Sequence, residues 1–251
     1  MDPLIETIDL TKRYEDGLLA LDVLNLKVEP REIYCLLGAN GAGKTTAINI
    51  LLNFIQPTSG RAMINRIDVN KDPFEAKKYI AYVSENVMLY GNFTARQNLD
   101  FFAKLGGKRG LKKDDYYTVL REVGLQEKAF EQQVKRLSKG MRQKVGIAIA
   151  VIKDSLAIVL DEPTAGLDPK AVADFMDILK WLRERGKAIL ISTHDIFRAR
   201  EIADRVGILK EGRKVLERTR KEFEQDDLQA LYLDYMRGGY TTEGDAASFR
   251  I

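Results

Sequence analysis

The stretch Gly38-Ala39-Asn40-Gly41-Ala42-Gly43-Lys44-Thr45 constrains the fold of this chain more than any other. Its three glycines, Gly38, Gly41 and Gly43, let a backbone curl with its N–H groups inward, through conformations that a Cβ hinders. The loop follows a nearly continuous apolar run at 33–37 and precedes a helical pattern at 44–53. A strand buried on both faces would deliver such a loop, and the next helix would aim its N-terminal dipole at a bound phosphate. In that arrangement Lys44 brings a cation to the outer phosphates, and the Thr45 hydroxyl is placed as a Mg2+ ligand.

A second apolar run, 156–160, ends in Asp161-Glu162. Ligands of open α/β sheets bind beyond the carboxyl ends of strands, so this carboxylate pair belongs beside the glycine loop. Asp161 is expected to hold the metal and Glu162 to act as general base on an attacking water. Strand alternation would turn the two side chains to opposite sides. Further strand-like runs at 24–28, 61–64, 80–83, 188–192 and 206–209 are mixed with helical spacing at 95–105, 114–123, 143–152 and 169–181. This order predicts an α/β chain interrupted by a mainly helical stretch at about 86–153. Glu211-Gly212 predicts a hairpin turn into a short strand at 214–216. Beyond it, 223–236 reads as an amphipathic helix, followed by a Gly- and Thr-containing tail expected to be disordered.

Composition narrows the function classes. With 45% hydrophobic and 31% charged residues in 251, the chain can bury a core. Lys and Arg number 40 against 37 Asp and Glu, a balance that argues for a mixed surface and against a nucleic-acid clamp. A single cysteine, Cys35, precludes an internal disulfide, and a single histidine, His194, a multi-histidine metal centre. Cys35 is expected to pack in its strand. Met1-Asp2-Pro3 carries no signal segment, and the apolar run near 147–152 falls far short of the ~18 residues a span needs. A role at a membrane would require another subunit to cross it. The aromatics Phe93, Phe101, Phe102, Tyr116 and Tyr117 are expected to be mostly core.

Four further motifs appear in a fixed order. Tyr14 closes Leu10-Thr11-Lys12-Arg13-Tyr14; Leu137-Ser138-Lys139-Gly140-Met141 precedes a helix; Thr164-Ala165-Gly166-Leu167-Asp168 follows the carboxylates; Ser192-Thr193-His194-Asp195 ends a strand. With the glycine loop, the set resembles the ATP-binding-cassette (ABC) ATPases, a branch of the P-loop NTPases, from Tyr14 to about Leu216. Three positions depart from the commonest family pattern. Lys139 stands where a glycine is usual, Met141 where a glutamine is, and Glu85 replaces the usual glutamine of the loop entering the insertion. In this the chain resembles the ABC-2-type exporter branch.

The resemblance implies a mainly parallel core sheet, an N-terminal antiparallel β region and an inserted α-helical subdomain. One ATPase domain would span 1–216, with a C-terminal helix and tail at 217–251. It implies that Gly38, Ala39, Asn40, Gly41, Ala42, Gly43, Lys44, Thr45 and Thr46 bind ATP, with Tyr14 against the adenine. Thr45, Asp161 and Glu85 would attend Mg2+, and Glu162, His194 and Lys44 would be catalytic. Ser138 and Gly140 would reach the ATP of a second ABC ATPase subunit, read as a copy of this chain in a head-to-tail dimer. ATP-driven dimerisation would work a separate transmembrane permease subunit from the cytoplasmic face of the membrane, in the direction of export, with no nucleic acid involved. The alternative is a soluble ABC ATPase of a cytosolic assembly machine. The stretch between Thr45 and Ser138 has no room for the long coiled coil of DNA-repair relatives.

Overall fold

The computed structural model describes residues 2–225 and 228–237. The chain opens with β1 (Ile5–Arg13), β2 (Leu19–Val28) and β3 (Glu32–Leu37), then α1 (Lys44–Leu51), β4 (Ser59–Ile64) and β5 (Ile67–Asp68). After α2 (Pro73–Tyr79) and β6 (Ile80–Val83) come the helices α3 (Ala95–Leu105), α4 (Lys113–Glu122) and α5 (Lys139–Ile152). The chain then alternates β7 (Ala157–Asp161), α6 (Pro169–Glu184), β8 (Ala188–Thr193), α7 (Ile196–Ile202) and β9 (Arg205–Lys210). It continues through β10 (Arg213–Thr219), α8 (Arg220–Gln225) and α9 (Leu228–Arg237).

Two sheets form, as expected. One is antiparallel, in the order β2-β1-β4-β5; the other has the order β10-β9-β3-β8-β7-β6 and is parallel except for the β9–β10 hairpin. The apolar run of β3 lies at the centre of the second sheet, which explains its lack of alternation. Ile33, Cys35 and Leu37 face one core, shared with α3–α7, while Tyr34 and Leu36 face another, shared with α1 and the antiparallel sheet. Cys35 is buried, and burial pushes its thiol pKa far up, as befits a packing residue.

Several elements differ from the sequence reading for identifiable reasons. The pattern of β1 is interrupted by register shifts and by Asp9 in the left-handed region at φ 47°, so its alternation is broken. Helix α5 starts at Lys139, because its first turn is polar and its start is set by the Ser138 cap. The 223–236 segment falls within two helices, α8 and α9, with 226–227 outside the described residues. The tail expected at 238–251 also lies outside them. Among the aromatics assigned to the core, Tyr116 is buried, but Phe93 and Phe101 are 38% and 36% exposed.

Candidate functional site

The glycine loop leaves β3 and enters α1 in close contact with its surroundings. Gly41 and Gly43 have φ of 83° and 109°, in the left-handed region. A Cβ on Gly43 would lie 2.4 Å from the Ala20 carbonyl oxygen, and one on Gly38 would lie 2.5 Å from that of Leu209. Gly43 caps α1 without any side-chain hydrogen bond, so the first-turn N–H groups remain available to an anion. Ala39, Asn40 and Gly41 form the exposed crest, Ala42 is buried beneath it, and the Gly212 N–H of the β9–β10 turn donates to the Ala42 carbonyl at 2.9 Å. Lys44 is 6% exposed, and its Nζ donates to the Gly38 and Ala39 carbonyls at 2.6 and 3.1 Å. Burial pushes its pKa down, while Glu162 and Asp161 act to hold it up.

Parallel pairing brings the carboxylates to this loop. Asp161 lies opposite Ser192 in the β7–β8 register, and the Ser192 hydroxyl donates to its Oδ1. The Thr45 hydroxyl donates toward Asp161 Oδ2 at 3.5 Å. Strand alternation does not separate Asp161 from Glu162, contrary to the sequence reading: β7 ends at Asp161, and Glu162 turns away at φ 46°. Its N–H donates to the Ser192 carbonyl at 3.1 Å. The Glu162 carboxylate accepts from the Thr193 hydroxyl at 3.3 Å and meets His194 Nδ1 at 2.7 Å. A proton on Nδ1 makes this a donation to the carboxylate and leaves Nε2 free for another partner. Five sequence-identified residues, Lys44, Thr45, Asp161, Glu162 and His194, thus gather at the ends of three adjacent strands.

The other candidates occupy the margins. The Tyr14 hydroxyl lies 3.4 Å from Thr46 Oγ1, which brings the ring beside the first turn of α1. Ser138 caps α5, its Oγ accepting from the Met141 N–H at 3.2 Å. Gly140 packs under α6, where a Cβ would come 3.2 Å from Ala171 Cβ. The Glu85 carboxylate is paired with Lys139, not with Thr45 or Asp161. Sequence reasoning assigned no role to Ser192, Thr193 or Tyr232. The first two sit inside the Ser192–Asp195 motif and were legible as hydroxyls next to its histidine. Burial and then the charge of Glu162 push the Tyr232 phenol pKa up, and nothing in its local sequence signals that proximity.

The donor set fits a nucleotide with Mg2+. Among the described residues no cluster of three or more His, Cys, Asp or Glu could hold a metal by itself. Thr45 and Asp161 offer two hard oxygens, the complement Mg2+ takes when phosphates and water complete its shell.

Residues 21–165 match the ABC transporter family, a span holding the glycine loop, Ser138 and both carboxylates. The chain belongs to that family. Among its relatives is the bacitracin transport ATP-binding protein BcrA of Bacillus licheniformis, 40% identical over 86% of this chain and 70% of that protein. The probable multidrug ABC transporter ATP-binding protein YbhF of Escherichia coli is 31% identical over 91% of the chain, which spans 38% of YbhF. The dimeric structure of MJ0796, a bacterial ABC transporter cassette, superposes with a TM-score of 0.77 at 29% identity, covering 86% of this chain and 98% of that one. The same cassette has been captured in a dimeric post-hydrolysis state with ADP and Pi. In this ABC family chain, Tyr14 and His194 fall outside the matched span and join the site through the fold. No helix among its described residues is long and apolar enough to cross a membrane.

Proposed function

We propose that the chain is the ATP-binding and ATP-hydrolysing subunit of an ABC exporter, working as a head-to-tail dimer on a separate permease at the cytoplasmic membrane face. The observation that carries this reading is the convergence of Lys44, Thr45, Asp161, Glu162 and His194 at the carboxyl ends of β3, β7 and β8. The kinship with BcrA supports a role in transport, that with the Nod factor export ATP-binding protein I of Burkholderia thailandensis (35% identical over 85% of this chain and 70% of that protein) supports its direction, and the dimeric MJ0796 cassette supports the pairing of two subunits.

The chemistry follows from the geometry. The loop N–H groups and Lys44 hold the phosphates, and Lys44 trades its two carbonyl partners for phosphoryl oxygens. Glu162 takes the proton of the attacking water, while Thr193 and His194 fix the orientation of its carboxylate. Mg2+ held near Thr45 and Asp161 would supply neutralising charge to the β- and γ-phosphoryl oxygens. Ser138 and the α5 N-terminus donate to the γ-phosphate of the partner's ATP, so a lone subunit has half of each site. The exposed cluster of Tyr90, Phe93 and Phe101 on the helical insertion offers an apolar landing for a permease segment.

Glu162→Gln is expected to lower ATP turnover by about 10²- to 10⁴-fold while retaining ATP binding, and to accumulate an ATP-dependent dimer on gel filtration. Unchanged turnover, or a protein that stays monomeric with ATP, would sink the reading. Affinity purification from membranes is expected to bring down a protein with several apolar spans. Recovery of soluble partners alone would favour the assembly-machine alternative.

A further inference from the structure

Two positions at which the chain departs from the common cassette pattern meet in space. Lys139 Nζ donates to Glu85 Oε1 at 3.2 Å across a sequence separation of 54. Neither charge is favourable alone. Lys139 is the first residue of α5, where a cation opposes the positive end of the helix dipole. Glu85 leaves the sheet one residue beyond the level of Asp161, because β6 runs parallel to β7 with Val83 opposite Leu160. An uncompensated carboxylate there repels a triphosphate on the neighbouring loop. Paired, the two charges cancel.

The same face of α5 grips this loop twice more. Gln143, one turn further on and fully buried, donates from Nε2 to the carbonyls of Ser84 and Glu85 at 3.2 and 2.9 Å. Gly146 continues the stripe; a Cβ on it would lie 3.1 Å from Val87 Cγ1 and 3.3 Å from Val83 Cγ1. These positions follow the i, i+4, i+7 spacing of one helical face. The ammonium of Lys139 also faces the loop before α6, where a Cβ on Gly166 would lie 3.6 Å away. It thus stands between the exits of β6 and β7.

We propose that Lys139 is a positioning residue that neutralises Glu85 and, with Gln143, fastens the loop after β6 to α5, so that the two departures act as one charge-compensated unit. This rests on the ATP-hydrolysing reading above. Both side chains are partly exposed, at 26% and 48%, so the coupling is modest, about two- to five-fold.

The test is steady-state ATP hydrolysis by the unaltered chain, Lys139→Gly, Glu85→Gln and the double variant. Lys139→Gly is expected to raise the KM for ATP about two- to five-fold, the double variant to recover most of that loss, and Lys139→Arg to stay near the unaltered chain. A loss of packing at α5 would instead lower kcat and would not be relieved by Glu85→Gln. A double variant no better than Lys139→Gly, or a Lys139→Gly protein equal to the unaltered one, overturns the proposal. Thermal midpoints of the same four proteins at low salt give a second cycle independent of turnover. If the unaltered chain hydrolyses no ATP, the hydrolytic reading fails on that result, and a vanishing thermal coupling then overturns the charge pair separately.

Discussion

Glu162 combines a left-handed backbone with two side-chain anchors, Thr193 and His194, and those anchors decide where its carboxylate points. Removing one anchor would leave the proposed base in place but poorly aimed. His194→Ala is therefore expected to cut kcat by ~10²-fold or more while the ATP dissociation constant, read by equilibrium binding, changes little. Hydrolysis at the original rate would remove His194 from the site. At the glycine loop the constraint is steric. Gly43→Ala would put a Cβ 2.4 Å from the Ala20 carbonyl oxygen on a backbone at φ 109°. Loss of ATP binding and a stability cost of about 1–3 kcal/mol in chemical denaturation are expected. Both the loop and the Asp161-Glu162 pair were legible in the sequence because their residues are contiguous. Ser192 and Thr193 escaped assignment because their importance comes from residues on another strand.

Helix starts show how one local device serves two ends. Thr94 caps α3 in a reciprocal box with Gln97, and Ser138 caps α5 through the Met141 N–H. Thr94→Ala and Ser138→Ala are each expected to cost about 1 kcal/mol in thermal or urea unfolding. Their effects on ATP turnover should differ: unchanged for Thr94→Ala, and lowered for Ser138→Ala beyond what the stability loss explains. Equal turnover in the two variants would reduce Ser138 to a cap. The helical pattern located α3 and α4 closely but placed the start of α5 one turn late. Apolar periodicity reports the buried face, whereas a polar first turn is marked only by its cap.

At the scale of the whole molecule, one ionic cluster ties the two sheets together. Arg205 of β9 binds Glu32 of β3 at 2.8 Å, Glu217 of β10 at 3.1 Å and the Lys27 carbonyl of β2 at 2.8 Å. Tyr34, wholly buried, donates its hydroxyl to Glu217 at 2.9 Å, and Gly207 leaves the space its ring needs. Burial by itself would raise the Glu217 carboxyl pKa, but Lys214, Tyr34 and Arg205 outweigh it and hold the group below its usual value. A depressed carboxylate stabilises the fold above its unfolded pKa, and that contribution is lost as pH falls through the folded pKa. Melting temperatures measured downward from about pH 6 should therefore fall less steeply for Glu217→Gln than for the unaltered chain. Parallel acid limbs would show that the cluster does not govern acid stability.

By itself, the sequence determined the glycine loop, the carboxylate pair, the histidine at a strand end and the alternation that builds a parallel sheet. Each is written in neighbouring residues whose backbone needs or hydrophobic spacing act locally. Only the tertiary structure decided that Asp161 meets Ser192, that Glu162 bends out of its strand toward His194, and that Glu85 faces Lys139. Those contacts depend on strand register and helix placement. Burial of the β3, β7 and β8 faces sets both, and no local spacing encodes them.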